Sequence, residues 1–338
     1  MLVVIYDSVF NSVFESQVLR PLLVKLSTNP PLHITLVSFE PDVLRARKTY
    51  ATPPHKRMTL LFLKRLPLVS RATLWLQARQ LQRALSGTLF DHTLARGPLA
   101  GWIAQHITTG KLTVQARGLC AQEHRFTHQD DKGLWRRLLT AYQVRLLERI
   151  ERNMYGLAAG ATTNVVFEAV SPALKQYLID HFKTPAANII IAQNDLLQPV
   201  ATTTVQEWRA ATRELLGIPA DAYVYCYSGS IKLWQCFDEA LDYFKQQLEP
   251  NPKSFLLVLT LDVDSAKKAL VQHNITAQAL CISVSNENLL HYLAAADAGF
   301  LLRKPDVINW VSRPTKALEY QAVGLTVIHN NTVQWLIT

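Results

Sequence analysis

The residues with the clearest potential for chemistry lie near the end of the 338-residue chain, in a segment that runs from Trp310 to Ile328. Its pattern predicts a loop, a helix at 314–323 and a strand. Ser312 is suited to cap the helix, Pro314 to its first turn, and Gly324 to the position just past its end.

The start of this helix could bind an anion. A helix N-terminus offers free N–H groups and the positive end of the helix dipole, which together suit a phosphate. Lys316 adds a positive charge in the first turn, and Glu319, one turn later, could accept hydrogen bonds from a vicinal diol such as a ribose. On the pattern alone, an ordinary capped helix with a surface Lys–Glu pair is the stronger interpretation.

The elements that must position these residues alternate between strand and helix. Short apolar runs predict strands at 2–6, 33–39, 93–95, 111–116, 165–170 and 189–192, and then at 223–227, 255–260, 280–284, 299–302 and 325–329. Helical periodicity lies between them, including helices at 71–85, 134–159, 237–248 and 287–296. This alternation predicts an α/β protein with parallel sheets covered on both faces.

The chain length suits two domains. The stretch 194–219 is rich in Thr and ends in a Gly-Ile-Pro turn, so we expect domains at 1–200 and 219–338 joined by a linker at 201–218. Ligands of such domains bind at the carboxyl ends of the strands, which predicts a cleft between the two domains.

The composition excludes several classes of protein. Apolar residues make up 49% of the chain and charged residues 18%, which excludes general disorder. No apolar run reaches the length of a membrane span, and no signal peptide is expected. The four cysteines lack a C-x-x-C pair, which favours a reducing compartment. The absence of G-x-G-x-x-G, P-loop and G-x-S-x-G motifs disfavours dehydrogenases, kinase-like NTPases and α/β-hydrolases.

The positive charge is concentrated in one segment. Residues 41–83 contain ten Lys or Arg and one acid, Asp42, a balance that equals the +9 of the whole chain. Basic residues together with an interfacial Trp are typical of a membrane-surface helix. The residues expected to face an anionic membrane are Lys56, Arg57, Lys64, Arg65, Arg71, Trp75 and Arg79. A solvated basic face over a core helix is the alternative, and nucleic acid is the less favoured partner.

A weaker pattern suggests a metal site. His124 and His128 are four residues apart, and Glu123 precedes the first of them. This is a zinc-ligand spacing on a helix, but the sequence places no third ligand, so zinc is disfavoured.

The end of the chain resembles a known family. The segment Pro314-Thr315-Lys316-x-x-Glu319-Tyr320-x-Ala-x-Gly324 resembles the donor-site helix of retaining GT-B glycosyltransferases of the group 1 or family 4 class. The segment from Tyr227 to Gln235 resembles the family's diphosphate loop, and the one from Asn288 to Arg303 its helix-to-strand unit before the donor loop. Residues 170–178 and 189–194 resemble the end of the family's acceptor domain.

The resemblance implies a GT-B fold, in which two Rossmann-like domains with parallel sheets face a central cleft. It implies a hexosyltransferase-type enzyme that moves a sugar from a nucleotide-sugar to a polysaccharide, glycolipid or glycan acceptor, with retention and without a metal or other cofactor. The protein would work in the cytoplasm, peripherally on the inner face of the membrane, without nucleic acid.

The resemblance also implies roles for individual residues. Glu319 would bind the ribose, and Arg117, Gly118 and Glu123 would lie on the acceptor side. No protein base is assigned. The donor diphosphate would be bound by Gly229, Ser230, Lys232, Arg303, Ser312, Thr315 and Lys316.

The sequence departs from the family pattern at several positions. The first of the family's two glutamates falls at Val311, Arg117-Gly118 stands where many members have His-Gly, and Lys232 is the only cation soon after the first strand of the second domain. We also expect the second domain to lack the usual C-terminal helices. These departures keep open an alternative, an inactive GT-B-like module that binds nucleotide or glycan. A third hypothesis is a basic nucleic-acid-binding protein, which a salt-sensitive gel shift would reveal.

Overall fold

The computed structural model describes residues 1–11, 14–107, 110–129, 132–156, 164–193, 197–231 and 235–337. The chain divides into two compact units, Met1–Asp195 and Leu196–Thr338. Each unit contains one parallel sheet with helices in the crossovers, which confirms the predicted α/β class. Within the described residues, no helix is long and apolar enough to cross a bilayer.

The first unit is built on a seven-stranded sheet in the order β3-β2-β1-β4-β5-β6-β7. One of its inner strands, Leu2–Ile5, is apolar throughout and buried, because helices cover both faces of the sheet. The strands are β1 Leu2–Ile5, β2 Ile34–Glu40, β3 Met58–Lys64, β4 His92–Arg96, β5 Lys111–Ala116, β6 Val165–Ala169 and β7 Ile189–Ile191. The helices are α1 Arg20–Thr28, α2 Val43–Thr49, α3 Arg71–Ala84, α4 Gly97–Ala104, α5 Cys120–Thr127, α6 Leu134–Tyr155 and α7 Pro172–Phe182, with a π-helical turn at Glu15–Leu19 before α1.

The second unit is built on a five-stranded sheet in the order β10-β9-β8-β11-β12. The strands are β8 Val224–Ser228, β9 Phe255–Leu259, β10 Ala279–Ile282, β11 Ala298–Leu301 and β12 Thr326–His329. The helices are α8 Thr202–Leu216, α9 Phe237–Leu248, α10 Val263–Gln272, α11 Leu289–Leu293, α12 Val307–Trp310 and α13 Thr315–Ala322. All five strands are parallel, and the order in which successive strands are added to the sheet reverses between β8 and β11, so the carboxyl ends of these two strands form the switch point of the sheet.

The segment that we expected as a linker contains α8, which packs on the second unit. The buried guanidinium of Arg213 donates to the carbonyl oxygens of Ala295 and Ala222 at 2.9 and 3.0 Å. Arg209 and Arg213 both pair with Asp297, at 2.6 and 3.0 Å. These contacts make α8 an integral helix of the second unit.

Local patterns predicted most element positions to within a few residues. On the predicted helix 71–85, the four apolar residues that share one face, Leu74, Ala78, Leu81 and Leu85, are all at most 9% exposed; Leu85 lies just past the end of α3. Helix α11 is shorter than the predicted 287–296, and residues 157–159 of the predicted long helix lie outside the described part of the chain.

Candidate functional site

Three of the predicted donor-site residues meet at the switch point of the second sheet. Gly229 follows β8, Arg303 follows β11, and Lys316 lies in the first turn of α13. Because β8 and β11 are adjacent and parallel, their carboxyl ends bring these residues to the same edge of the sheet.

Tyr320 fixes α13 against this edge. Its buried hydroxyl accepts from the backbone N–H of Ser228 at 3.3 Å and donates to the carbonyl of Phe300 at 3.2 Å. The Tyr320 ring packs so closely on Gly299 that a Cβ there would lie 2.6 Å from it. Lys316, one turn earlier on the same helix, is therefore held at the ends of β8 and β11.

One glutamine side chain links two cations at the site. The Oε1 atom of Gln235 accepts from Lys316 Nζ at 3.0 Å and also from Arg303 Nη1. The loop that carries Arg303 is clamped by Asn330, whose amide donates to the Arg303 carbonyl at 2.7 Å and accepts from its N–H at 3.3 Å. The glutamine was not predicted as a site residue, although it ends the segment that resembles the family's diphosphate loop.

Gly229 allows the Lys316 ammonium to lie against the backbone of the loop. A Cβ at this position would lie 3.3 Å from Lys316 Nζ, and the Gly229 φ of +116° is one that residues with a side chain rarely adopt. The Lys316 ammonium also lies 4.9 Å from the centre of the Tyr227 ring.

The two cations are buried together. Lys316 is 8% exposed and Arg303 is 7% exposed. Burial and the nearby Arg303 charge hold the pKa of Lys316 well below its usual range, and burial lowers the pKa of Arg303 as well. Among the described residues, neither cation forms an ion pair with a carboxylate. Two buried positive charges that share one neutral acceptor favour an anion at this place.

Glu319 lies one turn beyond Lys316 and is partly buried. Burial raises the pKa of its carboxyl, and the Lys316 charge opposes that rise. The Glu319 side chain makes no hydrogen bond to another described residue.

The remaining predicted donor residues differ in their positions and in their hydrogen-bond partners. Thr315 is the first residue of α13, whose N-terminus has no side-chain cap. The prediction that Ser312 caps this helix is wrong: its N-cap is Pro314, and the Ser312 hydroxyl donates to the Asn309 carbonyl at 2.8 Å. The Ser230 carbonyl accepts from the Tyr227 hydroxyl at 2.8 Å. Lys232 lies outside the described residues.

Val311 takes the place of the family's first glutamate. It is buried, at 1% exposure. Two polar side chains that precede it hold the loop itself: Asp306 caps α12 by accepting from the Ile308 N–H at 2.9 Å, and the Asn309 amide donates to the Lys304 carbonyl at 2.8 Å.

The predicted acceptor-side residues lie at the carboxyl end of β5 in the first unit. Arg117 Nη2 donates to Gln17 Oε1 at 3.0 Å, and a Cβ at Gly118 would lie 2.0 Å from a Glu123 carboxylate oxygen. Burial raises the pKa of Glu123, and the charge of Asp7 adds to that rise. A side chain at position 118 would require the Glu123 carboxylate to move.

Sequence reasoning missed further polar residues around this group. Arg96, at the end of β4, donates to the same Gln17 oxygen at 2.6 Å and pairs with Asp7 at 3.4 Å. The buried Glu151 of α6 accepts from the backbone N–H groups of Cys120 and Ala121 at 2.6 and 3.3 Å, at the start of α5. Burial raises the pKa of Glu151 to about 8, against the effect of these two donors. The only feature of the sequence that could have identified one of these residues was the position of Arg96 at the end of a predicted strand.

The predicted membrane-facing residues divide into two groups. Lys56, Lys64, Arg71, Trp75 and Arg79 are exposed, and the Arg79 guanidinium lies 4.5 Å from the centre of the Trp75 ring.

The other two predicted membrane-facing residues hold the first unit together. The Arg57 guanidinium donates to carbonyl oxygens at the end of α1 and just beyond it, including those of Asn29 at 2.9 Å and Leu32 at 3.2 Å. Arg65 donates to the Tyr6 carbonyl at 3.0 Å.

The two histidines of the weaker metal pattern lie close together on α5 and just beyond its end. The rings of His124 and His128 are 4.2 Å apart, and His128 Nδ1 contacts the His124 carbonyl at 2.9 Å. Within the described residues, no three potential ligands cluster around them.

No protein-family model matches the chain, and no curated protein matches it in sequence. Solved structures do match its fold. WaaG, a glycosyltransferase involved in lipopolysaccharide biosynthesis, aligns over 99% of this chain and 82% of its own, with a TM-score of 0.63 and 15% identity. Sucrose-phosphate synthase from Thermosynechococcus elongatus aligns over 98% and 82%, with a TM-score of 0.65 and 14% identity.

A third similar structure is the lipopolysaccharide outer core galactosyltransferase WaaB in its apo form. It aligns over 98% of this chain and 81% of its own, with a TM-score of 0.58 and 12% identity. These neighbours are GT-B glycosyltransferases, and the two parallel-sheet, Rossmann-like units of this chain have the GT-B fold. At such identities the likeness establishes the fold alone.

Proposed function

We propose that the protein binds a nucleotide-sugar at the switch point of the second unit and transfers the sugar to a polysaccharide, glycolipid or glycan acceptor. One observation carries the proposal: the buried cations Lys316 and Arg303 converge on Gln235 at the carboxyl ends of β8 and β11. A diphosphate carries enough negative charge to neutralise both cations.

The arrangement suits the departure of a nucleoside diphosphate. As the glycosidic bond breaks, negative charge grows on the leaving phosphate. Lys316, Arg303 and the uncapped start of α13 provide positive charge without reorganisation, so they stabilise that state more than the ground state. Because these fixed positive charges can neutralise the diphosphate, we propose transfer without a bound metal. The resemblance of residues 314–324 to the donor helix of retaining GT-B glycosyltransferases leads us to propose retention and the binding of the ribose hydroxyls by Glu319.

The acceptor side is proposed on the first unit. Arg117, Gly118 and Glu123 lie at the carboxyl end of β5, where ligands of parallel sheets bind. We further propose that the exposed basic residues of the segment 41–85, such as Lys56 and Arg71, face an anionic membrane, and that the protein works on its cytoplasmic side.

The ribose assignment can be tested with Glu319→Gln. The variant keeps the shape of the side chain and removes its charge, and charge-assisted hydrogen bonds contribute about 1.5–3 kcal/mol each. We expect the affinity for a nucleoside diphosphate, chosen from a panel of UDP, GDP, ADP and CDP, to fall by about tenfold or more in calorimetry. A 2′,3′-dideoxy nucleotide should bind the native protein weakly and lose little further on the variant, because both changes remove the same contact.

The matched control is Glu207→Gln on the exposed face of α8. It should bind the nucleotide as the native protein does. If Glu319→Gln stays folded and retains native affinity, Glu319 does not hold the ribose.

A second function is favoured by Val311. A buried valine in place of the first glutamate deprives the donor sugar of one carboxylate contact. This observation favours a module that binds a nucleotide or glycan without transfer. Incubation of the native protein with nucleotide-sugars and candidate acceptors separates the two functions: sugar transfer or donor hydrolysis supports the enzyme, and saturable binding without turnover supports the module.

A further inference from the structure

The first half of α6 presents large apolar side chains to solvent. Leu134, Trp135, Leu138, Leu139 and Tyr142 are each between 53% and 84% exposed. The second half of the same helix is a normal core helix, with Val144, Leu147, Ile150 and Met154 buried in the first unit. The helix is therefore anchored at one end and exposes an apolar surface at the other.

The exposed apolar residues share one face. At about 100° per residue, these five side chains fall within an arc of roughly 140° around the helix axis. Arg136 and Arg137 lie outside that arc, one beyond each of its edges. Monomeric soluble proteins rarely leave so many large apolar side chains contiguous and uncovered, so this face requires an occupant.

The charged residues around this face indicate which class of partner it binds. Over residues 132–147 the chain carries Lys132, Arg136, Arg137 and Arg145 and no acid. Asp130 and Asp131 precede this stretch and lie outside the described residues. Basic residues beside an apolar face that contains Trp and Tyr match an anionic lipid surface, in which aromatic rings occupy the headgroup level and cations meet the phosphates.

We propose that the first half of α6 binds an anionic phospholipid surface, with Leu134, Trp135, Leu138, Leu139 and Tyr142 inserted at the level of the headgroups. This surface lies outside the segment 41–85. Three of that segment's predicted cations, Arg57, Lys64 and Arg65, are bound to backbone carbonyl oxygens of their own unit. The proposal does not depend on the donor site or on sugar transfer.

The test uses the full chain and vesicles of phosphatidylglycerol mixed with phosphatidylcholine, compared with vesicles of phosphatidylcholine alone. We expect the native protein to sediment with the anionic vesicles and to be released as salt is raised. The double variant Trp135→Ser, Leu139→Ser should lose at least tenfold in partitioning. The pair Arg136→Gln, Arg145→Gln should weaken the preference for anionic vesicles.

Two controls and one further measurement test whether binding is specific to this face of α6. Leu261 is a leucine in the second unit that is 82% exposed, and Leu261→Ser should sediment as the native protein does. All variants should keep the native melting temperature, because the substituted side chains are exposed. Brominated lipids should quench the native fluorescence more strongly than that of Trp135→Ser.

Three outcomes would overturn the proposal. The first is native partitioning by the double variant, and the second is no binding of anionic vesicles by the native protein. The third is a native dimer that becomes a monomer in the double variant, because the apolar face would then be covered by a second copy of the chain.

Discussion

Replacing Lys316 with Met should make the ligand-free protein more stable and should weaken its binding of nucleoside diphosphates. Methionine has a similar length, is unbranched and apolar, and suits a site beside the Tyr227 ring. The substitution removes one of two buried cations without leaving a cavity.

The stability effect follows from the burial of the ammonium. The pKa of Lys316 is lowered in the folded state, so folding disfavours its charged form, and this cost is present at every pH below the unfolded pKa. The Lys316 contact to Gln235 at 3.0 Å offsets only part of the cost. Replacing buried ionic groups by apolar ones of similar size commonly stabilises a protein by about 1–4 kcal/mol. We expect a gain at the lower end, which corresponds to a rise of roughly 3–8 °C in Tm.

The binding effect has the opposite sign. A charge-assisted hydrogen bond to a phosphate contributes about 1.5–3 kcal/mol, so its loss should weaken diphosphate binding by roughly 10- to 150-fold. Scanning calorimetry of the free protein gives the first quantity, and titration calorimetry with the tightest nucleoside diphosphate of the panel gives the second. The uncharged nucleoside should bind both proteins with similar affinity.

Lys245→Met is the matched control, since Lys245 is an exposed lysine on α9. It should change neither Tm nor affinity by a comparable amount. If Lys316→Met lowers Tm and leaves diphosphate affinity unchanged, Lys316 is a structural residue, and the anion site does not exist as argued.

Two further predictions concern the same pair of cations. Burial and Arg303 lower the pKa of Lys316 in the free protein and a diphosphate would raise it again, so binding should take up a proton and should weaken by up to about tenfold per pH unit as pH rises through the free-state pKa. Calorimetry in buffers of different ionisation enthalpy measures this proton uptake, which should disappear in Lys316→Arg. Absence of proton uptake in the native protein would contradict the reasoning. Gln235→Ala should lower the Tm of the free protein, because both cations lose their shared acceptor. The same variant should bind a diphosphate more tightly, because the glutamine oxygen no longer competes for the cations. Weaker binding would mean that Gln235 orients the cations for the ligand.

Local patterns in the sequence were sufficient to predict the class of fold and most of its elements. Short apolar runs such as the one at 255–260 predicted the buried strands, and 3.6-residue periodicity predicted α3 and α9. These patterns are reliable because each records the burial of one face of one element. The joint position of Lys316 and Glu319 on α13 was equally local, since residues three apart on a helix are neighbours.

The sequence could not predict which distant residues meet. Gln235 is 81 positions from Lys316 and 68 from Arg303, yet its Oε1 contacts both cations. The acceptor-side group is also formed by residues that are distant in the sequence. Gln17 contacts Arg96 and Arg117, which are 79 and 100 positions away. No periodicity encodes such contacts, because they depend on strand order and on where each chain segment turns at the sheet edge.

Exposure was the second property that only the tertiary structure decided. Arg57 looked like a membrane-facing cation, and its guanidinium instead binds carbonyl oxygens around the end of α1. Leu134 and Trp135 looked like residues of an ordinary long helix, and they lie in solvent because no other described element of the first unit covers the start of α6. A residue type fixes what a side chain can bind, but the neighbours that the fold brings to it determine which of those interactions it makes.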